Sequence, residues 1–277
     1  AKSERDIVNF DQFKDSLDGN YDLGELPIIA GVEPSGSVVE RKIDEAPHML
    51  IGGTTGSGKT VFMYNLLGSL YESVGPEGFE LSVIDPKRTE FSPFQEDLVN
   101  LAEDEVITNA KDAKELIEDI VEREIDERTD ELQESYSTDI KGHNSKADSN
   151  EQLKPHLVVI DEYADLLDQL RDDSGEFEQN IRMIAQRARN VGIHLVIATQ
   201  KPSANIIDTD LRANLDTRVA FRLPSASDSR VILNDSGAEK LGGEGDMIFR
   251  TSDDKIRLQG TFMSPKDLRE VLRRNSE

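Results

Sequence analysis

The chain contains no cysteine, which excludes disulfides and thiolate metal sites. Histidine is scarce as well: His48, His143, His156 and His194 lie dispersed along 277 residues, too scattered for a histidine-built metal centre. Redox and zinc chemistry are therefore not expected. No stretch reaches the ~18 to 20 apolar residues of a membrane span, and the charged opening over residues 1–10 lacks the apolar core of a secretory signal. The expectation is a soluble, cytoplasmic segment without membrane contact of its own, while a longer protein carrying it could hold a membrane anchor. Cations are in deficit: 32 Lys and Arg against 56 Asp and Glu leave a formal net charge of −24. A surface of that sign cannot coat itself in nucleic acid, so any phosphate contact must be focused on a few local cations. The acidic residues run along the whole length and Arg (18) outnumbers Lys (14), a surface read here as adapted to high salt.

What is present is enough for one core. Hydrophobic residues make up 36% of the chain and gather in compact runs at 157–160 and 193–198, and the length suits one large domain. Residues 1–24 are expected to form a helical extension packed on one large domain over 25–277. Short apolar runs split by glycine at 27–31, 37–39 and 48–51 read as strands. From residue 59 a helical period begins, with Val61, Phe62, Leu66, Leu67 and Leu70 on one side. Further strands are expected at 80–84, 157–161, 193–199 and 218–223, with helices at 110–134 and 177–190 between them. Two extended runs, 246–250 and 256–262, and a helix over 265–274 close the chain. Apolar strands alternating with helices predict an α/β fold with a mostly parallel central sheet covered by helices on both faces. The polar stretch 135–152 reads as a mobile excursion from it.

Gly53-Thr54-Thr55-Gly56-Ser57-Gly58-Lys59-Thr60 satisfies G-x-x-x-x-G-K-[ST] in full, after one expected strand and at the start of one expected helix. Glycines let backbone N–H groups turn inward around phosphates, and the helix N-terminus adds favourable dipole charge. In that arrangement Lys59 sits against the β and γ phosphates of ATP, the Thr60 hydroxyl ligands Mg²⁺, and Val61 completes the nucleotide-binding run. The second half of the site is the apolar run 157–160 ending in Asp161-Glu162. Asp161 is placed to hold Mg²⁺ through water, and Glu162 to polarise the attacking water. A third strand ends in Ala198-Thr199-Gln200, which makes Gln200 a candidate sensor of the γ-phosphate. Paired carboxylates behind a phosphate loop favour hydrolysis over mere binding.

These residues resemble a known family, the FtsK/SpoIIIE-type DNA translocase motors within the FtsK/HerA group of RecA-like P-loop ATPases. The resemblance runs from about residue 26 to 262. It is carried by Pro47-His48-Met49-Leu50-Ile51 and the phosphate loop, Ile84-Asp85-Pro86-Lys87, Asp161-Glu162-Tyr163-Ala164-Asp165-Leu166, the run from Gln186 to Ser203, Thr217-Arg218-Val219-Ala220-Phe221, Asp228-Ser229-Arg230, and Gly237 to Met247. It implies a homo-oligomer, a hexameric ring with ATP between neighbours and double-stranded DNA through the pore. It also implies that Lys201, where arginine is usual, and Arg230 contact the DNA backbone. Lysine keeps the charge but loses the bidentate fork. The family supplies an arginine from one subunit to the γ-phosphate of the next; Arg128 is the best match for it and Arg123 the second. Two other functions fit the same loops: a protein-translocating ATPase of the type VII secretion kind, and a nucleotide-dependent assembly module that moves no polymer.

Overall fold

The computed structural model describes residues 7–17, 19 and 21–276. Its framework is one nine-stranded sheet in the order β2-β1-β9-β8-β7-β3-β6-β5-β4. The strands are β1 (Pro27–Val32), β2 (Val38–Lys42), β3 (His48–Gly52), β4 (Glu80–Ile84), β5 (His156–Ile160), β6 (Ile193–Thr199), β7 (Thr217–Ala220), β8 (Asp246–Arg250) and β9 (Lys255–Gln259). From β4 through β5, β6 and β3 to β7 every pairing is parallel. The remaining strands pair antiparallel, because β1–β2 and β8–β9 are joined by connections too short for a crossover. The parallel half is the part the alternating pattern announces, and it carries the site.

Helices cover both faces. One face holds α1 (Lys59–Ser73) and α9 (Pro265–Arg274), the other α2 (Ala110–Asp119), α3 (Ile125–Glu134), α5 (Tyr163–Leu170), α6 (Ser174–Arg187) and α8 (Ala226–Leu233). The period-two rule sorts the strand residues between them: Met49, Ile51, Val196 and Ala198 face the first core, Leu50, Leu195 and Ile197 the second. Continuous apolar strands are what a sheet buried on both faces requires. The helix expected over 110–134 is a continuous run, but a π-turn at Ile120–Glu124 separates α2 from α3. Helix α9 starts with Ser264 and Asp267 in a reciprocal capping box, the local signal that places its first residue where the sequence predicts it.

The helical extension expected over 1–24 takes the form of two short 3₁₀ turns, Phe10–Gln12 and Lys14–Ser16; residues 1–6, 18 and 20 lie outside the described residues. The polar stretch 135–152 is anchored. It contains α4 (Ile140–Asn144), and the buried Asn144 amide bonds Leu23 O, Leu153 O and Leu153 N. Its polarity therefore serves internal hydrogen bonds as well as solvent.

Candidate functional site

Strands β5, β6, β3 and β7 are neighbours and run parallel, so their carboxyl ends bring four loops to one edge of the sheet, where open α/β sheets hold ligands. The loop from β3 to α1 is the phosphate loop. Gly53 N bonds Thr199 O at 3.2 Å, Thr54 N bonds Arg222 O at 3.1 Å, and Ser57 N bonds Thr54 O at 3.0 Å, which ties the loop to β6 and β7. Gly56 and Gly58 have φ of +74° and +115°, a region side-chain-bearing residues avoid. Gly58 is also crowded: a Cβ there would lie 2.7 Å from the backbone N and Cα of Gly245. That contact matters because Gly245 N donates to Ser57 O at 2.8 Å and braces the loop from below. Lys59 and Thr60 then open α1, whose first N–H groups have no carbonyl partner within the helix.

The sequence-predicted residues converge here. Lys59, 4% exposed, sends Nζ to Oδ1 and to the carbonyl of Asp161, both at 2.9 Å. The other Asp161 oxygen, Oδ2, is buried without a hydrogen-bond partner among the described residues. Gln200 accepts from Thr55 Oγ1 at 2.9 Å, so the end of β6 touches the phosphate loop directly. Glu162 is fully buried and has every oxygen engaged. Thr199 Oγ1 donates to Oε1 at 2.8 Å, Gln200 N reaches Oε1 and Oε2 at 3.1 and 3.0 Å, and Lys87 Nζ stands 3.5 Å from Oε2.

Asp85 and Lys87 are legible in the sequence as part of a motif but neither gains a role there, and Glu90 is passed over. Asp85, at the end of β4, folds the next loop around its carboxylate, which accepts from Thr89 N, Phe91 N, Ser92 N and Ser92 Oγ. The fold of that loop carries Glu90 into the site, where its carboxylate meets the Thr60 hydroxyl and lies near Lys59 and Asp161. Burial, with Asp161 nearby, pushes the Glu90 carboxyl above its ordinary pKa. The same loop carries Lys87, which no spacing rule singles out. A cavity of about 410 Å³ opens over the loop, lined among others by Lys59, Thr60, Val61, Glu90, Gln200 and Phe262. Its volume suits a small-molecule ligand. The orphan Asp161 Oδ2 and the half-buried Thr60 hydroxyl form a hard oxygen donor set of the kind Mg²⁺ takes, with its remaining positions left to water and phosphate.

The basic candidates separate. Lys201 is 63% exposed and pairs with Asp165 at 3.3 Å. It shares a cleft with Lys87, Arg222 and the phosphate-loop threonines. Arg230 is exposed on α8. Arg128, the best match for the arginine supplied to a neighbour, sits in a cluster within its own chain. It is buried, and it bonds Glu124 at 2.8 Å, Glu80 at 3.2 Å and the carbonyls of Lys154 and Val191 at 2.8 and 3.3 Å. These partners surround the amino ends of β4, β5 and β6, away from the phosphate loop, so Arg128 closes the bottom of the sheet. Arg123, 55% exposed on the π-turn and held only by Asp119 and Glu127, is the accessible arginine of the pair.

Comparison with known proteins matches residues 18–204 to the FtsK/SpoIIIE family. The DNA translocase FtsK of Bacillus cereus is 35% identical over 280 residues, 98% of this chain and 35% of that protein. The DNA translocase FtsK of Streptococcus agalactiae serotype V is 34% identical over 281 residues, 98% of this chain and 34% of that protein. The chain thus spans about a third of the length of these curated relatives. Among solved structures, the pCW3 conjugation coupling protein TcpA, in monomer form with ATPγS, aligns with a TM-score of 0.82 at 25% identity, over 98% of this chain and 74% of that one. The cytoplasmic domain of the Thermomonospora curvata type VII secretion ATPase EccC aligns with a TM-score of 0.75 at 22% identity, over 90% of this chain and 30% of that one.

Proposed function

The chain belongs to the FtsK/SpoIIIE family, and from that premise we propose that it is an ATP-hydrolysing motor segment that moves along double-stranded DNA without regard to sequence. The observation that carries this reading is the convergence of Lys59, Asp161, Glu162 and Gln200 on one phosphate loop at the carboxyl ends of three adjacent strands. ATP enters with its phosphates on the N–H groups at the start of α1 and its base toward Val61 and Phe262. Lys59 leaves Asp161 for the β and γ phosphates. Thr60 and Asp161 would hold Mg²⁺, which would supply charge neutralisation of the phosphates. Glu162 orients and polarises the attacking water, and Gln200 hydrogen-bonds the γ-phosphate.

DNA is the favoured polymer because relatives at 35% and 34% identity are named DNA translocases and because Lys201, Arg222 and Arg230 are exposed cations on an otherwise acidic chain. Contacts of that kind recognise backbone phosphate, so affinity falls steeply with salt. The active form is a homo-oligomeric ring, six subunits around the duplex, in which Arg123 reaches the nucleotide of the adjoining subunit. The likeness to the type VII ATPase is one of fold and does not favour a peptide substrate. The test is ATP turnover with and without linear duplex DNA, alongside Glu162→Gln. Turnover accelerated by duplex, and abolished in Glu162→Gln while ATP still binds, supports the motor. Turnover indifferent to duplex points to a peptide motor, and Glu162→Gln with normal turnover points to an assembly module with a different hydrolytic group.

A further inference from the structure

Glu162 is held on both carboxylate oxygens, by Thr199 and Gln200 and by the Lys87 ion pair, and the groups that hold it lead step by step to the protein surface. Lys87 Nζ lies 3.5 Å from Glu162 Oε2 and 3.1 Å from Asp165 Oδ2. Asp165 in turn takes Lys201 Nζ on its other oxygen at 3.3 Å. Lys201 is joined to the same carboxylate by a second route, since its backbone N–H donates to Thr199 Oγ1 at 3.1 Å and that hydroxyl donates to Glu162 at 2.8 Å. One buried carboxylate is therefore connected to one exposed cation through a charged path and a backbone path.

We propose that Lys87 and Asp165 form a charged bridge that withholds Glu162 from reaction, and that drawing Lys201 onto a DNA phosphate releases it. The proposal rests on the motor reading above. Two lysines share Asp165. When one of them is taken by an outside phosphate, the full charge of Asp165 falls on Lys87 and pulls it from Glu162. Displacing the Lys201 backbone loosens Thr199 and Gln200 in the same direction. Burial opposes the charge on Lys87, yet the hydrogen bond to Asp165, with Glu162 and Asp161 nearby, holds its pKa above the ordinary value, and Lys87 and Lys201 hold the Asp165 carboxyl below its own. Lys87 and Asp165 are thus positioning residues, which act on the water only through Glu162.

Lys87→Met removes the bridge and leaves the phosphate loop untouched. Turnover without DNA is expected to rise roughly 1.5-fold to fivefold, the range one partly exposed charge pair sets, with ATP affinity unchanged and the stimulation by duplex reduced in the same ratio. Asp165→Asn leaves Lys87 to Glu162 alone, so stimulation is expected to vanish although DNA still binds. Should Lys87→Met fold poorly, Asp165→Asn decides by itself. A DNA-free turnover that stays level or falls in Lys87→Met, or full stimulation in Asp165→Asn, overturns the bridge. A wild-type protein that duplex does not stimulate overturns the motor reading and the bridge with it, whereas a stimulated wild type whose variants behave identically overturns the bridge alone.

Discussion

Replacing Gly58 and Gly56 separately by alanine distinguishes a crowded turn from a merely unusual one. Both have left-handed φ, +115° and +74°, which costs an L-residue about 1–2 kcal/mol. At Gly56 a new Cβ meets nothing within 4 Å, and the reduced freedom of the unfolded chain offsets about 0.4–1 kcal/mol of that cost. At Gly58 the Cβ would lie 2.7 Å from two backbone atoms of Gly245, which cannot rotate away as a side chain could. Relief requires moving the segment that donates to Ser57 O at 2.8 Å. Overpacking adds about 1–3 kcal/mol and the weakened hydrogen bond about 1 kcal/mol. Gly58→Ala should therefore be destabilised by about 4 kcal/mol and Gly56→Ala by about 1 kcal/mol. In urea, with a slope of about 3 kcal/mol/M, that difference separates the two unfolding midpoints by roughly 1 M. Coincident midpoints would refute the bracing of the loop by Gly245.

Acid should weaken the fold through its buried histidines. Burial, with His194 and Arg189 nearby, holds His48 down to about 3, and burial holds His194 down to about 4. The folded protein keeps both neutral while the unfolded chain takes protons near pH 6.5, so stability present above pH 6.5 is lost as pH falls toward those values, by about 2 kcal/mol per histidine at pH 5. Urea unfolding at pH 7.5 and pH 5 reads this directly, and equal stabilities contradict it. The two helix arginines should behave in opposite ways. Arg128→Ala strips a cation from the buried Glu124 cluster and should lose about 3 kcal/mol of stability. Arg123→Ala removes only surface pairs, about 0.5 kcal/mol, yet should lower assembled turnover roughly 10³-fold if it reaches the adjoining nucleotide. Unfolding curves and turnover on the same preparations separate these roles; a stable Arg128→Ala or a fully active Arg123→Ala contradicts the assignment.

The half of the site that was legible in sequence is the half built from short-range patterns. Gly53 to Thr60 forms its own loop, and Asp161, Glu162 and Gln200 each end an apolar strand, so spacing and strand direction locate them. Ile84-Asp85-Pro86-Lys87 was legible as a family motif, but the site roles of Glu90 and Lys87 were not, because the Asp85 carboxylate organises their loop through local bonds. Their partners Thr60, Glu162 and Asp165 are distant in the chain. The burial of Arg128 was not legible for a related reason: its partners at Lys154 and Val191 lie far along the chain and no local pattern announces them. In the fold, the parallel strands followed from apolar runs alone, while the antiparallel half depends on pairing choices that short polar strands such as β2 scarcely encode. The buried anchors of 135–152, Ile140, His143 and Asn144, are too few to change the composition of that stretch, so it read as solvated.

The central claim, that hydrolysis at this phosphate loop moves the protein along duplex DNA, is tested most directly by displacement of a triplex-forming oligonucleotide from one end of a linear duplex. The account predicts displacement that requires ATP, persists across unrelated duplex sequences, and disappears in Glu162→Gln. Duplex-stimulated turnover with the oligonucleotide left in place would contradict it.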